Sequence, residues 1–568
     1  MESQKNLNVL RHSAAHLLAH AISELFPETQ LTIGPATEEG FFYDCLPIRN
    51  FKEDDLPTIE HRMHEISKRN LKLEHKEISK SDAKKIYKNN PFKLELIENI
   101  PGDTVGLATQ GDFYDLCRGG HVERTSDIKY FKLLGISGSY WRADRNGQAL
   151  QRISGTAFFT QKDLEDYEQR IVDAQQYDHR KLAKEMDLFS FHEEGPGFPF
   201  FHPKGRVVIN QLIRFMRKLQ QQQNYKEIST PIILSDELWR RSGHYAHYKN
   251  NMYFTTIDDK AYAIKPMNCP GAILVYKERP RSYRELPLKL SEFGLVHRHE
   301  LSGVLHGLLR VRAFTQDDAH FFCTIEQIEE QILGIIKIAF HVLKKFGFEK
   351  IQVNLSTKPE DSMGSEELWQ KATQALKNAL SSMDIKYNIQ EGDGAFYGPK
   401  IDFKIEDSMG RQWQLSTIQV DFFQPINFDL SYVDSTGQKS KPVIIHQAIY
   451  GSLERFFAIL LEHHKGHLPF FVCPVQIKVL TITEKQNEYA LQVVQKLKEG
   501  GIRVEADISS DPISAKIKNG LLERVPWLIV IGQKEVDAQT LTLRFKDGKQ
   551  EFNLKIEDVI KRAMDQDI

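Results

Sequence analysis

The sequence predicts an α+β protein of several domains, and three observations predict it. A chain of 568 residues exceeds what one hydrophobic core ordinarily organises and points to three or four domains. A long, highly charged helical stretch with little apolar periodicity, 161–189, separates two regions of different texture, as a helix bridging domains does. From residue 475 onward strands and helices alternate, the pattern of a small α/β module with parallel strands.

In chain order, the first helix covers roughly residues 8–26, with Leu17, Leu18, Ile22 and Leu25 on its apolar face, and ends before Pro27. Glycine-punctuated segments through FKLLGISGSYWRADRNGQALQRISGTAFF (131–159) read as strands and tight turns. After the charged helix, HEEGPGFPFFHPKG (192–205) breaks the chain with glycine and proline. A large mixed region then runs to about residue 470 and includes the helix RVVINQLIRFMRKLQQQQ. In the last module VQIKVLTIT, IRVEADI and WLIVIG are the strands, with EYALQVVQKLKEG and SAKIKNGLLERV as helices between them. The expected domains are 1–160, a linker helix 161–189, 190–472 and 473–568.

Hydrophobic residues make up 41% and charged residues 27%, and the formal net charge is −2 from 75 basic and 77 acidic side chains. That balance excludes a globally basic nucleic-acid binder but not a locally basic face. Five scattered cysteines (45, 117, 269, 323 and 473) do not make a disulfide framework and fit a reducing, cytoplasmic setting. The N-terminal residues lack an apolar signal core. No apolar run is long enough to span a membrane; QILGIIKIAFHVL is interrupted by Lys337 and His341.

Two groups of residues carry chemistry. HSAAHLLAHA places His12, His16 and His20 on one helical stripe, since residues four apart share a face. CRGGH follows at 117–121. By ligand counting, His12, His16, Cys117 and His121 make a Cys-His₃ zinc set; a hydrolytic cluster and a solvated helix face are the alternatives. In the middle region, HRHELSGVLHGLLRVRAFTQDDAHFF (297–322) packs arginines and acids between two strands. There a guanidinium fork suits phosphate oxygens, with a surface ion pair as the plainer alternative.

HSAAHLLAHA, DLCRGGH, MNCPG, HRHELSG, RAFTQDDAHFF, GAFYGPKIDF, QLSTIQVDF, HQAIYGSLERF and the C-terminal module occur in the order found in the threonyl-tRNA synthetases of class II, which the chain resembles over almost its whole length. The resemblance implies an antiparallel catalytic sheet, an N-terminal α+β editing domain and a C-terminal α/β anticodon-binding domain of the kind shared with the prolyl, glycyl and histidyl enzymes. It also implies a homodimer with the Pro231 segment at its interface, and tRNA(Thr), ATP and L-threonine as partners. Arg298 resembles the arginine on the ATP α-phosphate, and Arg455 the one on the γ-phosphate and adenine. Phe314 resembles the ring beneath the base; Glu300, Gln414 and Thr417 resemble further nucleotide contacts, with Mg²⁺ accompanying ATP. His244 resembles a histidine that assists transfer to tRNA.

The resemblance makes Cys269, His320 and His446 the ligands of one catalytic-domain Zn²⁺ per subunit, with an open fourth position for the threonine amino and hydroxyl groups. Asp318, Gln316, Tyr397, Gln419 and Met267 resemble the threonine pocket. Valine lacks the hydroxyl and is rejected there, whereas serine differs by one methyl, worth roughly 1–3 kcal/mol, and has to be removed elsewhere. The family reading therefore gives His12, His16 and His121 the task of positioning a water against the ester of mischarged seryl-tRNA. Cys117 lines that pocket and Asp115 senses the substrate amino group, with metal occupancy left open. His20 has no motif role and is expected at the surface. Family members commonly open with a ubiquitin-like domain, whereas here the histidine helix begins within about seven residues. A prolyl enzyme would not need the zinc set, and a non-catalytic RNA-binding paralogue would not need both arginines.

Overall fold

The computed structural model describes residues 2–37, 39–144 and 147–566, so residues 145 and 146 of the predicted 131–159 segment lie outside the described residues. The chain divides into two compact units, up to Val172 and from Asp173 onward.

The first unit opens with α1 (Glu2–Leu25). A four-stranded antiparallel sheet has the order β1–β2–β7–β6, from β1 (Gln30–Leu31), β2 (Phe41–Leu46), β6 (Tyr130–Tyr140) and β7 (Ala149–Phe158). Between β2 and β6 lie α2 (Leu56–Lys68), β3 (Leu73–Ser79), α3 (Lys80–Ile86), α4 (Pro91–Asn99), β4 (Thr104–Gln110) and β5 (Phe113–Leu116), with β3, β4 and β5 forming a second antiparallel sheet. Ala14, Ala15, Leu17, Leu18, Ala19, Ala21 and Ile22 are all fully buried, so α1 is covered on several sides rather than along one stripe. Each buried leucine stabilises the unit by about 1.5–3 kcal/mol.

The predicted single linker helix is two helices, α5 (Gln161–Gln176) and α6 (His179–Met186), and the division between units falls inside α5. Asp178 breaks them apart: its side chain accepts the Arg180 N–H and caps α6.

The second unit continues with α7 (Pro203–Gln222), β8 (Lys226–Glu227), α8 (Cys269–Lys277), β9 (Leu288–His297), β10 (Ala313–Cys323) and α9 (Ile328–Lys345). Then follow β11 (Ile351–Ser356), α10 (Glu366–Ser382), β12 (Tyr387–Gln390), β13 (Lys400–Glu406), β14 (Gln412–Asp421), β15 (Val443–Ser452) and α11 (Leu453–His463). Its eight-stranded sheet runs β8–β9–β10–β15–β14–β13–β11–β12. Only the outermost pairs, β8 with β9 and β11 with β12, are parallel; the strands between them pair antiparallel. On β10, Ala319, Phe321 and Cys323 join the core with residues of α7, α9 and α11. The alternate residues Phe314, Gln316, Asp318 and His320 fall on the opposite face, because strand side chains alternate.

In the last module β16 (Ile477–Thr481), α12 (Asn487–Glu499), β17 (Val504–Asp507), α13 (Ile513–Leu522) and β18 (Trp527–Ile531) match the predicted alternation, and the three strands are parallel. Two antiparallel strands, β19 (Leu541–Phe545) and β20 (Gln550–Leu554), extend the sheet before α14 (Ile556–Asp565). Among the described residues, no helix is long and apolar enough to cross a membrane.

Candidate functional site

The sheet register of the second unit assembles residues that the sequence scatters. His320 on β10 lies opposite His446 on β15, which lies opposite Gln419 on β14. In the adjacent row Asp318 faces Ala448, which faces Thr417. Gln316 pairs with Ser452 one step further, past a bulge. One strand face thus runs from a Cys/His cluster at one end to an arginine-lined cleft at the other.

At the first end, Cys269 begins α8, and the ligand atoms of Cys269, His320 and His446 lie within 4.8 Å of one another, all three residues buried. The donor set fits a cation. His320 Nε2 is buried with no hydrogen-bond partner. His446 Nε2 lies 2.9 Å from Asp421 Oδ2, which fixes the ring and frees its other nitrogen. Burial keeps His320 neutral and pushes the Cys269 thiol well up, so ionisation of that thiol needs a positive charge beside it. Around the cluster Asn268 Nδ2 donates to Asp318 Oδ2 at 3.1 Å, and Tyr397 Oη donates to Gln419 Oε1 at 2.6 Å. Burial raises the Asp318 carboxyl to about 6, a shift that a bound cation would oppose. His244 is fully buried, its Nδ1 2.7 Å from Ser242 Oγ and its Nε2 2.9 Å from Met267 Sδ. Burial holds it neutral, with the pKa lowered to about 3.

At the other end, Arg298, Glu300, Phe314, Gln316, Gln414, Thr417 and Arg455 line one cleft of about 520 Å³. Arg298 donates Nε to the Pro266 carbonyl at 3.2 Å and stands 5.0 Å from the Phe314 ring centroid. Gln414 Nε2 and Thr417 Oγ1 both donate to Asp402 Oδ1, at 2.6 and 2.8 Å. Asp317 accepts the N–H groups of Ile449, Tyr450 and Gly451, fixing the turn from β15 into α11. Arg455 follows in the first turn of α11, with Ser452 as its cap. Burial, together with Arg310 and Arg298, pushes the Arg455 guanidinium below its ordinary value. Three arginines around a single Glu300 leave the cleft positive and suited to a polyanion.

In the first unit a second cluster forms. Gly119 and Gly120, at φ +95° and +84°, turn the chain sharply after β5 and return His121 beside Cys117 and α1. Cys117 Sγ lies 3.0 Å from His12 Nε2 and 3.2 Å from His121 Nε2. The rings of His12, His16 and His121 sit 4.8–5.0 Å apart. His16 Nδ1 is 3.2 Å from Asp115 Oδ2, an ion-pair distance without hydrogen-bond alignment. Asp115 also takes the Tyr43 hydroxyl at 2.6 Å and the Lys93 ammonium. Burial opposes every charge here, but the contacts outweigh it. Asp115 and Cys117 raise His16 to about 9, Lys93 and His16 hold Asp115 well below the usual carboxylate range, and His12, His121 and His16 draw the Cys117 thiol down to about 3. The result at neutral pH is an alternating chain from Lys93 through Asp115 and His16 to the Cys117 thiolate.

The ligand atoms of His12, His16, Cys117 and His121 all lie within 4.8 Å of one another, a Cys-His₃ set that could hold a cation. The observed 3.0 and 3.2 Å are hydrogen-bond spacings between imidazole and thiolate. Iodoacetamide at pH 6 is therefore expected to label Cys117 and spare Cys45, Cys269, Cys323 and Cys473, which are buried with raised thiols. Its rate should stay flat between pH 5 and 7, because the thiolate is already formed above about 3. An unshifted thiol would gain about tenfold per pH unit. Peptide mapping against pH distinguishes the two.

His20 is a correction: it is 5% exposed rather than at the surface. Its Nδ1 meets Gln110 Nε2 at 3.0 Å and its Nε2 meets Glu24 at 3.1 Å, because α1 is buried on that face too. Sequence reasoning missed Lys93, Tyr43, Asp402 and Asp421. Each acts across a long separation, and nothing in KLELIEN marks Lys93 as buried.

Three family descriptions match the chain: "tRNA synthetase class II core domain (G, H, P, S and T)" at residues 253–464, "Anticodon binding domain" at 470–565, and "Threonyl and Alanyl tRNA synthetase second additional domain" at 105–154. The threonine–tRNA ligase of Acetivibrio thermocellus is 52% identical over 558 residues, covering 98% of this chain and 88% of that protein. That of Clostridium kluyveri is 50% identical over 568 residues, covering 100% and 89%. Among solved structures, the RNA binding domain of threonyl-tRNA synthetase from Cryptosporidium parvum superposes with a TM-score of 0.67 at 42% identity, covering 69% of this chain and 98% of that one.

Proposed function

The chain belongs to the threonine–tRNA ligases, and on that premise we propose which side chains carry each part of its reaction. It activates L-threonine with ATP, accompanied by Mg²⁺, and transfers the threonyl group to the 3′ end of tRNA(Thr); its additional domain fits hydrolysis of mischarged product. The observation that carries the assignment of residues is the single face of β10, on which Phe314, Gln316, Asp318 and His320 lead from the arginine cleft to the Cys/His cluster.

Arg298 holds the α-phosphate, where negative charge grows as the threonine carboxylate attacks. Arg455 meets the γ-phosphate, Phe314 lies under adenine, and Glu300, Gln414 and Thr417 complete the nucleotide contacts. Cys269, His320 and His446 hold one Zn²⁺, which when bound supplies a Lewis-acidic position for the threonine amino and hydroxyl groups. Asp318 accepts the hydroxyl hydrogen bond, with Met267, Gln316, Tyr397 and Gln419 closing the pocket. His244 assists transfer to tRNA as a neutral hydrogen-bonding imidazole, since burial opposes its protonation. Residues 1–160 act as the editing domain, 190–472 as the catalytic domain and 473–568 as the anticodon-binding domain. The protein works as a cytoplasmic homodimer through the Pro231 segment, where Ile232 and Ile233 are 39% and 47% exposed.

At the editing site the imidazoles can act on a water directly. His12 and His121 position and deprotonate the water, Cys117 lines the pocket, and Asp115, held by Lys93 and His16, faces the substrate amino group. His121→Ala and Lys93→Met are each expected to slow Ser-tRNA(Thr) deacylation by roughly 10²-fold while threonine activation is unchanged. Deacylation at the wild-type rate in both variants would remove the cluster from the reaction.

A further inference from the structure

Asp178, His179 and Glu462 form a third group of closely spaced ligand atoms, outside both sites. Their contacts make a clamp rather than an ion site. His179, fully buried on α6, donates Nδ1–H to Glu462 Oε1 at 2.6 Å, and its backbone N–H donates to the same oxygen at 3.0 Å. Its Nε2 accepts the Leu308 N–H at 3.0 Å. Both ring nitrogens are used, so no lone pair remains for a cation. Glu462 is held on its other oxygen by Arg411.

Leu308 belongs to the turn Gly307–Leu309, in the segment joining β9 to β10. That turn is seated on the imidazole: Gly307 has φ +47°, and a Cβ there would fall 2.1 Å from His179 Nε2. The next carbonyl, Leu309 O, accepts Arg455 Nε at 3.0 Å, and both residues line the arginine cleft. Glu462 and Arg455 lie near opposite ends of α11. A single ring therefore ties the last turn of α11 to the loop that holds the arginine in its first turn.

We infer that His179 is a positioning residue for ATP: through Leu308 N–H it fixes the turn whose Leu309 carbonyl holds Arg455, leaving the arginine's terminal nitrogens for phosphate. The inference rests on the reading that Arg455 binds the distal phosphates. Steady-state ATP–pyrophosphate exchange and AMP inhibition on the whole chain test it. His179→Phe keeps an aromatic ring but removes both polar contacts. It is expected to raise the ATP KM by roughly tenfold, with the threonine KM within about twofold and AMP inhibition unchanged. His179→Gln, whose amide both donates and accepts, should recover most of the loss. Should His179→Phe fail to fold, Gly307→Ala displaces the same turn from the other side and should give the same selective rise.

An unchanged ATP KM in a folded variant overturns the inference. So do parallel changes for ATP, threonine and AMP, which mark general loosening. Arg455→Ala separates the two readings. If it fails to weaken ATP relative to AMP, the role of Arg455 falls and the inference with it. If it does weaken ATP and His179→Phe does not, only the inference falls.

Discussion

Replacing Arg298 with glutamine is expected to lower threonine-dependent ATP–pyrophosphate exchange by about 10²–10³-fold, the range seen when a single preorganised donor to developing negative charge is removed. Arg298 follows directly on β9, with Nε committed to the Pro266 carbonyl and the guanidinium beside Phe314. Strand end, carbonyl and ring thus hold the guanidinium in place, so in the proposed role little reorganisation would be needed as charge builds on the α-phosphate. Arg298→Lys should recover little, because an ammonium cannot supply the planar fork while also meeting the Pro266 oxygen. The fall should appear in kcat, with metal content unchanged. A loss below tenfold would place the α-phosphate elsewhere in the cleft.

Cys269→Ala is expected to empty the metal position and reduce threonine activation by roughly 10⁴-fold, the scale on which sites built around a substrate hydroxyl lose discrimination and binding. Two buried imidazoles, one steadied by Asp421, remain without the thiolate that brings negative charge to the cation. The sheet has no need of the sulfur: Cys269 opens α8, and the register that pairs His320 with His446 is backbone-made. Zinc content measured beside the thermal unfolding midpoint separates metal loss from unfolding. A variant that retains zinc at one per chain and still activates threonine would remove Cys269 from the ligand set.

The order of motifs along the chain pointed to the residues that the structure gathers on one face of β10 and around it, Cys269 with His320 and His446 at one end and Arg298 with Arg455 at the other. Register across strands was not readable, since nothing local in β14 or β15 states that Gln419 meets His446. The ion pairs behind the His12, His16, Cys117 and His121 cluster were equally hidden: Lys93 looks like any helix-surface lysine, and its partner Asp115 lies on a strand 22 residues away. His20 was misplaced because apolar periodicity suggested one buried stripe, whereas small residues let α1 be buried more widely. Two signals were available and unused. Asp178 before His179 is a helix start that splits the linker, and Asp547–Gly548 between two strand-like runs marks the β19–β20 hairpin.

On the proposed reading, a metal-held hydroxyl would select threonine over valine in one unit while the other unit removes serine. Pyrophosphate exchange with threonine, serine and valine, on protein of known zinc content, tests it most directly. About one zinc per chain, exchange with threonine, weaker exchange with serine and none with valine are expected. Valine exchanging as well as threonine on zinc-loaded protein would contradict it.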